Sequence, residues 1–315
     1  MIRDAAFELL QRQGRGLQQL ALRSVPDVPL AVMHKLGHAA LLAQGADSWT
    51  SQLAGHRVHR YAFRGRGSGA PIVLLHGLGG SAGSMAPLVA GLVDLAPRIV
   101  LLELPGHGRS PQAAGGPLSA REYGAVAVAC VEELRREHGG ARVSLAGNSL
   151  GGALALFVAH ERGELVNGVV GLNPAGAEMS EEAMRILPKR FADPEAGAAA
   201  MARLLFHRTP LLFWLVARDF ARGWETPTVQ RVLDDAREGS ARSLGLDVLT
   251  NIRAPVLILW GAEDRLLPLS SADDFRRNIP GAVVELIPGC GHVPQVERAA
   301  FTRRRVREFF GGLTQ

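Results

Sequence analysis

Ser149 stands in Gly147-Asn148-Ser149-Leu150-Gly151, directly after the apolar run 143–146 and before a helix-like stretch from Ala153 to His160. Gly-x-Ser-x-Gly between a strand and a helix makes a turn too tight for a Cβ on either side, and it lifts the serine hydroxyl above the sheet edge. A serine hydroxyl becomes a nucleophile only when a base takes its proton, so the motif requires a histidine held by a carboxylate. Both are present, in the order serine, acid, histidine. Asp264, with Glu263 as the competing acid, lies in the loop after the apolar run 256–259, and His292 comes after the glycine-rich turn beyond 283–287.

Acyl transfer also needs donors aimed at the oxyanion that develops. The backbone N–H of Leu150, at the start of a helix whose dipole adds positive potential, is one candidate, and that of Leu78 in the loop 76–81 is the other. The same glycine-rich loop has no Gly-Lys-Ser/Thr ending and no acid at dinucleotide spacing, which speaks against a nucleotide cradle. His76 is expected to order this loop rather than to act as a second base.

These residues need elements to carry them. Short apolar runs at 72–75, 99–102, 143–146, 169–172, 256–259 and 283–287 alternate with longer helical patterns. Continuous apolar strands separated by helices predict an α/β fold with a mostly parallel sheet covered on both faces, with catalytic groups at the carboxyl ends of its strands. A period of two from Ser51 to Phe63 predicts an antiparallel hairpin ahead of it. Between Asn173 and Leu249 the rhythm stops and Pro188, Pro194, Pro210 and Pro227 cut a helical stretch into short pieces. The expected organisation is a helical arm over 1–50, a core over 51–175 and 250–315, and a helical lid over 176–249.

Composition narrows the field. The 315 residues are 47% hydrophobic and 21% charged, enough for a large core and incompatible with disorder or a coiled coil. Lys+Arg is 35 against Asp+Glu 30, a formal charge of +5. Lys35 and Lys189 are the only lysines, so the excess is arginine scattered along the chain. Scattered cations do not line up into a nucleic-acid surface; the run Arg303 to Arg307 is read as a solvated helix face, and no nucleic-acid partner is expected. Cys130 and Cys290 are too few for a disulfide scaffold. His34 and His38 lie four apart on one helical pattern but lack a third metal ligand nearby. No run is long enough to span a membrane, and Asp4, Glu8, Gln11 and Gln13 interrupt any signal-peptide core, so a cytoplasmic location is the default. Residues 2–23 form an amphipathic, mildly basic helical pattern, expected to pack on the main domain or a partner, with a weak lipid-surface contact as the alternative.

HGLGG at 76–80, ELPGHGRS at 103–110, GNSLGG at 147–152, WGAEDRLLP at 260–268 and GCGH at 289–292 together resemble the α/β-hydrolase superfamily over most of 51–310. The resemblance implies Ser149 as nucleophile, His292 as base, Asp264 as its orienter (by its spacing to Pro268), and the amides of Leu78 and Leu150 as oxyanion hole. It implies no metal and no organic cofactor. Where the family usually has aspartate this chain has Glu103, at a position that is structural in the family.

Serine at the turn argues against the haloalkane dehalogenases and epoxide hydrolases of the superfamily, which use a carboxylate there. The GNSLGG form and the pattern at 184–188 resemble bacterial esterases and lipases of the monoacylglycerol-lipase type. The expected reaction is hydrolysis of a small apolar carboxylic ester through an acyl-enzyme. An acyltransferase on the same triad is one alternative. The other is a carbon–carbon bond hydrolase of aromatic ring-fission products; those usually have tryptophan after the histidine, where this chain has Val293, and a lid arginine, for which Arg190 could be offered. Phe206, Leu212, Trp214 and Val293 are the candidate pocket residues.

Overall fold

The computed structural model describes residues 28–176, 194–237 and 249–313. The amphipathic segment 2–23, the 184–188 pattern, Pro188 and Arg190 lie outside these.

In chain order the elements are α1 (Leu30–Ala43), β1 (Asp47–Leu53), β2 (His56–Arg64), β3 (Ile72–Leu75), α2 (Ala86–Val89), β4 (Arg98–Leu102), α3 (Ala120–Glu137), β5 (Val143–Asn148), α4 (Leu150–Glu161) and β6 (Val166–Leu172). After a helical insertion come β7 (Val256–Gly261), α8 (Ser270–Asn278), β8 (Val283–Ile287), α9 (Pro294–Glu297) and α10 (Ala299–Gly312). Within the insertion lie α5 (Pro194–Leu205), a 3-10 turn (Leu211–Leu215), α6 (Ala217–Gly223) and α7 (Pro227–Arg237). Pro194 and Pro227 each open a helix, where the missing N–H costs nothing.

The strands form one 8-stranded sheet in the order β1-β2-β4-β3-β5-β6-β7-β8. β2 runs antiparallel to both β1 and β4, and the pairs from β4 to β8 are parallel. Successive side chains of a strand face opposite sides, and the core divides accordingly. Val73, Leu75, Val100, Leu102, Leu145, Ile258 and Trp260 join one buried cluster, while Ile72, Leu74, Ile99, Leu101, Ala146, Leu257 and Leu259 join the other. Both faces are therefore covered, as uninterrupted apolar strands require.

The hairpin turns at Ala54 and Gly55, whose φ values of 48° and 82° give the mirror-image turn that matches strand twist. Its first strand starts earlier than the expected Ser51: Asp47 pairs with Ala62, and the hydroxyls of Ser48 and Thr50 bond the His59 ring at 3.1 and 3.0 Å. The sheet thus takes in the last residues of the expected 1–50 arm, because their polar side chains find partners on β2. Helix α1 is tied to the insertion, with Val28 N–H donating to the Leu215 carbonyl (2.9 Å) and Leu30 N–H to Asp219 (2.6 Å).

The arginine run lies on α10, and three of its four arginines have local acidic partners. Arg305 pairs with Glu285 and Glu308, Arg304 with Glu308, and Arg307 with Asp94. No helix among the described residues is long and apolar enough to cross a membrane.

Candidate active site

Ser149 sits between β5 and α4 with φ 54° and ψ −119°, a conformation that non-glycine residues rarely adopt. Its neighbours are glycines by necessity. A Cβ on Gly147 would stand 2.1 Å from the Gly151 carbonyl oxygen, and one on Gly151 would stand 2.3 Å from that of Leu75. The strained turn is pinned by Ser149 N–H to the Leu172 carbonyl (3.0 Å) and by Ala175 N–H to the Ser149 carbonyl (3.0 Å).

Asp264 and His292 lie in the loops after β7 and β8, so neighbouring parallel strands deliver them to one side of the sheet. His292 Nδ1 and Asp264 Oδ2 are 2.8 Å apart, with both side chains almost fully buried. The remaining acceptor capacity of Asp264 is used as well. Oδ1 accepts from the backbone N–H groups of Leu266 (2.8 Å) and Leu267 (3.0 Å), and Oδ2 accepts from Asn173 Nδ2 (2.6 Å). A carboxylate so placed accepts a hydrogen bond from His292 Nδ1–H, which keeps the proton on Nδ1 and leaves Nε2 bare; Nε2 is buried and has no hydrogen-bond partner among the described residues.

Glu263 has a different task. Its Oε2 accepts from Cys290 N–H (2.9 Å). Burial alone would raise its carboxyl, but the N–H groups of Cys290 and Gly289 outweigh that and hold it below its ordinary value. Cys290 itself is no rival nucleophile, since burial pushes its thiol up to about 12.

His76 fixes the loop carrying Leu78. Its Nε2 accepts from Leu104 N–H (3.1 Å), which leaves the proton on Nδ1 to donate to the Gly77 carbonyl (2.8 Å). Burial, reinforced by nearby His107, drives the His76 ring down to about 3, so it stays neutral in this role. Glu103 holds the adjoining loops by accepting from Arg109 N–H (2.7 Å) and Ala82 N–H (3.3 Å). Leu150 opens α4, where the first N–H groups of a helix have no internal acceptor. Among the described residues neither its N–H nor that of Leu78 donates to a protein group.

A cavity of about 360 Å3 opens over Ser149 and His292. Of the candidate pocket residues, Phe206, Leu212 and Val293 line it, joined by Leu78, by Met33 of α1 and by Phe213, Phe220, Trp224 and Gln295. Trp214 does not. It packs with Ala198, Ala202 and Ala217 inside the insertion, because in a 3-10 turn consecutive side chains fan out by a third of a turn.

A family model described as alpha/beta hydrolase fold matches residues 70–299. The chain belongs to that family. The α/β-hydrolase is 28% identical over 271 residues to the 2-hydroxy-6-oxo-6-phenylhexa-2,4-dienoate hydrolase of Burkholderia cepacia, covering 80% of this chain and 90% of that one. In fold it resembles carboxylesterase CesB of Bacillus subtilis, with a TM-score of 0.71 at 18% identity over 90% of this chain and 98% of that one. It also resembles a membrane phospholipase A that is a bacterial virulence factor, with a TM-score of 0.70 at 23% identity over 99% of both chains.

Several residues of this hydrolase site carry no sequence signal that isolates them. Asn173, with φ 43°, bridges Asp264 and the Gly261 N–H (3.0 Å). Asn148 Nδ2 donates to the carbonyls of Leu172 (2.9 Å) and His292 (3.0 Å), tying the serine turn to the histidine loop. Glu297 accepts from the N–H groups of Gly291 (2.6 Å), Arg208 (2.7 Å) and His207 (3.2 Å).

Proposed function

We propose that this α/β-hydrolase cleaves carboxylic esters with an apolar acyl or alcohol part through an acyl-enzyme on Ser149. The observation that carries this reading is the His292–Asp264 pair with a bare Nε2, opening with Ser149 into one predominantly apolar cavity. His292 Nε2 takes the Ser149 proton as Oγ attacks the ester carbonyl, and the N–H groups of Leu78 and Leu150 receive the negative charge on the carbonyl oxygen. The same Nε2 then gives the proton to the departing alcohol. Water, deprotonated by His292, attacks the acyl-enzyme, and the acid leaves as the proton returns to Ser149.

A second reading is hydrolysis of a carbon–carbon bond, favoured by the 28% identity to a dienoate hydrolase across 80% of this chain. A dienoate carries a carboxylate, and among the described residues the cavity lining contains no arginine or lysine to receive it. Val293 supports the ester reading too, at the place where the carbon–carbon hydrolases usually have tryptophan.

The test is a panel of aryl and alkyl esters, from acetyl to long acyl, run beside a ring-fission dienoate on wild type and Ser149→Ala. The ester reading expects turnover of short and medium esters, a loss of at least a thousandfold in Ser149→Ala, and little turnover of dienoate. Preferred cleavage of the dienoate would establish the second reading instead. Full ester activity in Ser149→Ala would sink the mechanism.

A further inference from the structure

The proposed ester chemistry leaves unused two polar side chains of the same cavity. Gln295 lies on α9, beyond His292, and is 0% exposed, yet among the described residues neither its Oε1 nor its Nε2 has a hydrogen-bond partner. Trp224, just past the end of α6 and 6% exposed, has an Nε1 with no partner among the described residues. Its indole packs over the glycine-rich loop, with Nε1 3.2 Å from the point where a Cβ on Gly79 would stand. Both residues are among those that line the cavity with Ser149 and His292.

Buried polar groups almost always find partners, and those left without one are costly enough to need a reason. An apolar residue of similar shape would suit an apolar wall better than Gln295. At the wall of a substrate cavity, the partner that makes such groups favourable is the substrate.

We propose that Gln295 and Trp224 form a polar subsite that takes a hydroxyl group carried by the ester substrate. This rests on the ester reading. The donors and acceptors select the group: Gln295 offers one acceptor oxygen and an NH2 donor, and Trp224 offers a donor only. A hydroxyl accepts from an N–H and donates to Oε1 at once. A carboxylate can only accept, so it leaves Oε1 facing negative charge, with no cation among the described lining residues to offset it. An ammonium group donates only and leaves the indole N–H unmet. An alkyl chain satisfies none of them. The substrate class is therefore a neutral ester bearing a free hydroxyl, with the rest of the molecule held by Met33, Phe206, Phe213 and Phe220.

The test uses two matched pairs of esters in which a hydroxyl replaces a methyl group. 2-Hydroxyethyl butanoate against propyl butanoate places it on the alcohol side, and ethyl 3-hydroxybutanoate against ethyl 3-methylbutanoate places it on the acyl side. Each kcat/KM is divided by the alkaline hydrolysis rate of the same ester. Wild type is expected to favour the hydroxyl member of one pair by about ten- to a hundredfold. Gln295→Met and Trp224→Phe are each expected to pull that ratio down at least about fivefold, mainly through KM. Circular dichroism and fluorophosphonate labelling of Ser149 verify that each variant is folded. Should one fail to fold, the wild-type ratios and the other variant decide.

A wild-type ratio near one in both pairs would overturn the subsite and leave the ester reading standing. So would variants that lower both members of a pair by the same factor, which is the signature of a packing role. If wild type turned over none of the four esters nor any aryl ester, the ester reading itself would fall, and the subsite with it.

Discussion

Replacing Asp264 by asparagine changes one atom, and the hydrogen bonds around that atom decide how the histidine responds. In the wild type Oδ1 accepts from the Leu266 and Leu267 N–H groups, while Oδ2 accepts from Asn173 Nδ2 and His292 Nδ1. An asparagine can keep its oxygen toward the backbone N–H groups, which puts its NH2 against the Asn173 amide and the imidazole. Turned the other way, it opposes both backbone donors and strands two N–H groups at about 1–3 kcal/mol each. The first orientation strands fewer donors and wins. His292 must then accept at Nδ1, so its proton moves to Nε2, the atom that has to receive a proton from Ser149. Loss of the correct tautomer in a Ser-His-Asp triad costs about 10⁴ in kcat. KM should change little, because Asp264 contributes nothing to the cavity lining. Steady-state hydrolysis of p-nitrophenyl butanoate and the rate of fluorophosphonate labelling both read this out, with thermal unfolding to check the fold. Glu263→Gln is the control: an amide oxygen can still accept from Cys290 N–H, and activity should stay within about threefold. A folded Asp264→Asn enzyme within tenfold of wild type, or an equal loss in Glu263→Gln, would refute the assignment of the acid.

Glu297→Ala removes the acceptor of the Gly291, His207 and Arg208 N–H groups; kcat is expected to fall about tenfold or more, the melting midpoint to drop, and Glu297→Gln to recover part of both. Acid should destabilise the fold through two buried rings: burial lowers His76 to about 3 and His107 to about 4, against 6.5 for a free ring. The unfolded chain therefore binds these protons first, so the stability they support is complete above about pH 6.5 and declines as the pH falls toward their folded values, by roughly 2 kcal/mol each at pH 5. Urea melts at pH 7.5 and pH 5 that gave the same unfolding free energy would contradict this.

The chemistry was legible in the sequence where a reactive residue stood in the loop that follows an apolar run, because strand ends in a parallel sheet all deliver to one side. Ser149 and His292 stand out that way, whereas the same rule leaves Glu263 beside Asp264, and only the spacing to Pro268 in the family pattern separates the two. The pocket was less legible, and the cluster 211–215 explains why. Five consecutive apolar residues announce burial without a direction; in the 3-10 turn that forms, Leu212 and Phe213 face the cavity while Trp214 turns into the insertion. The tryptophan that does reach the cavity, Trp224, stands among polar neighbours in the sequence and gives no such signal. Met33 reaches it through a tertiary contact of α1 that no local pattern encodes, and Gln295 is distinguished only by what it fails to bond.

Those long-range contacts also bear on how the site works. The peptide of His292 is held from two sides, its N–H by the carbonyl of Leu205 in the insertion (2.8 Å) and its carbonyl by Asn148 of the serine turn (3.0 Å). Glu297 repeats the link by gripping Gly291 together with His207 and Arg208, just beyond α5. The helical insertion is thus bonded to the base as well as placed over the cavity. An opening motion that pivoted at residues 205–208 would have to break these bonds and would release the histidine loop with them. Farther along the insertion, the 3-10 turn presents Leu211 and Leu212 at 79% and 60% exposure, outside this hydrogen-bonded region. The start of the insertion thus fixes the backbone of the histidine, while farther along Leu212 and Phe213 line the cavity.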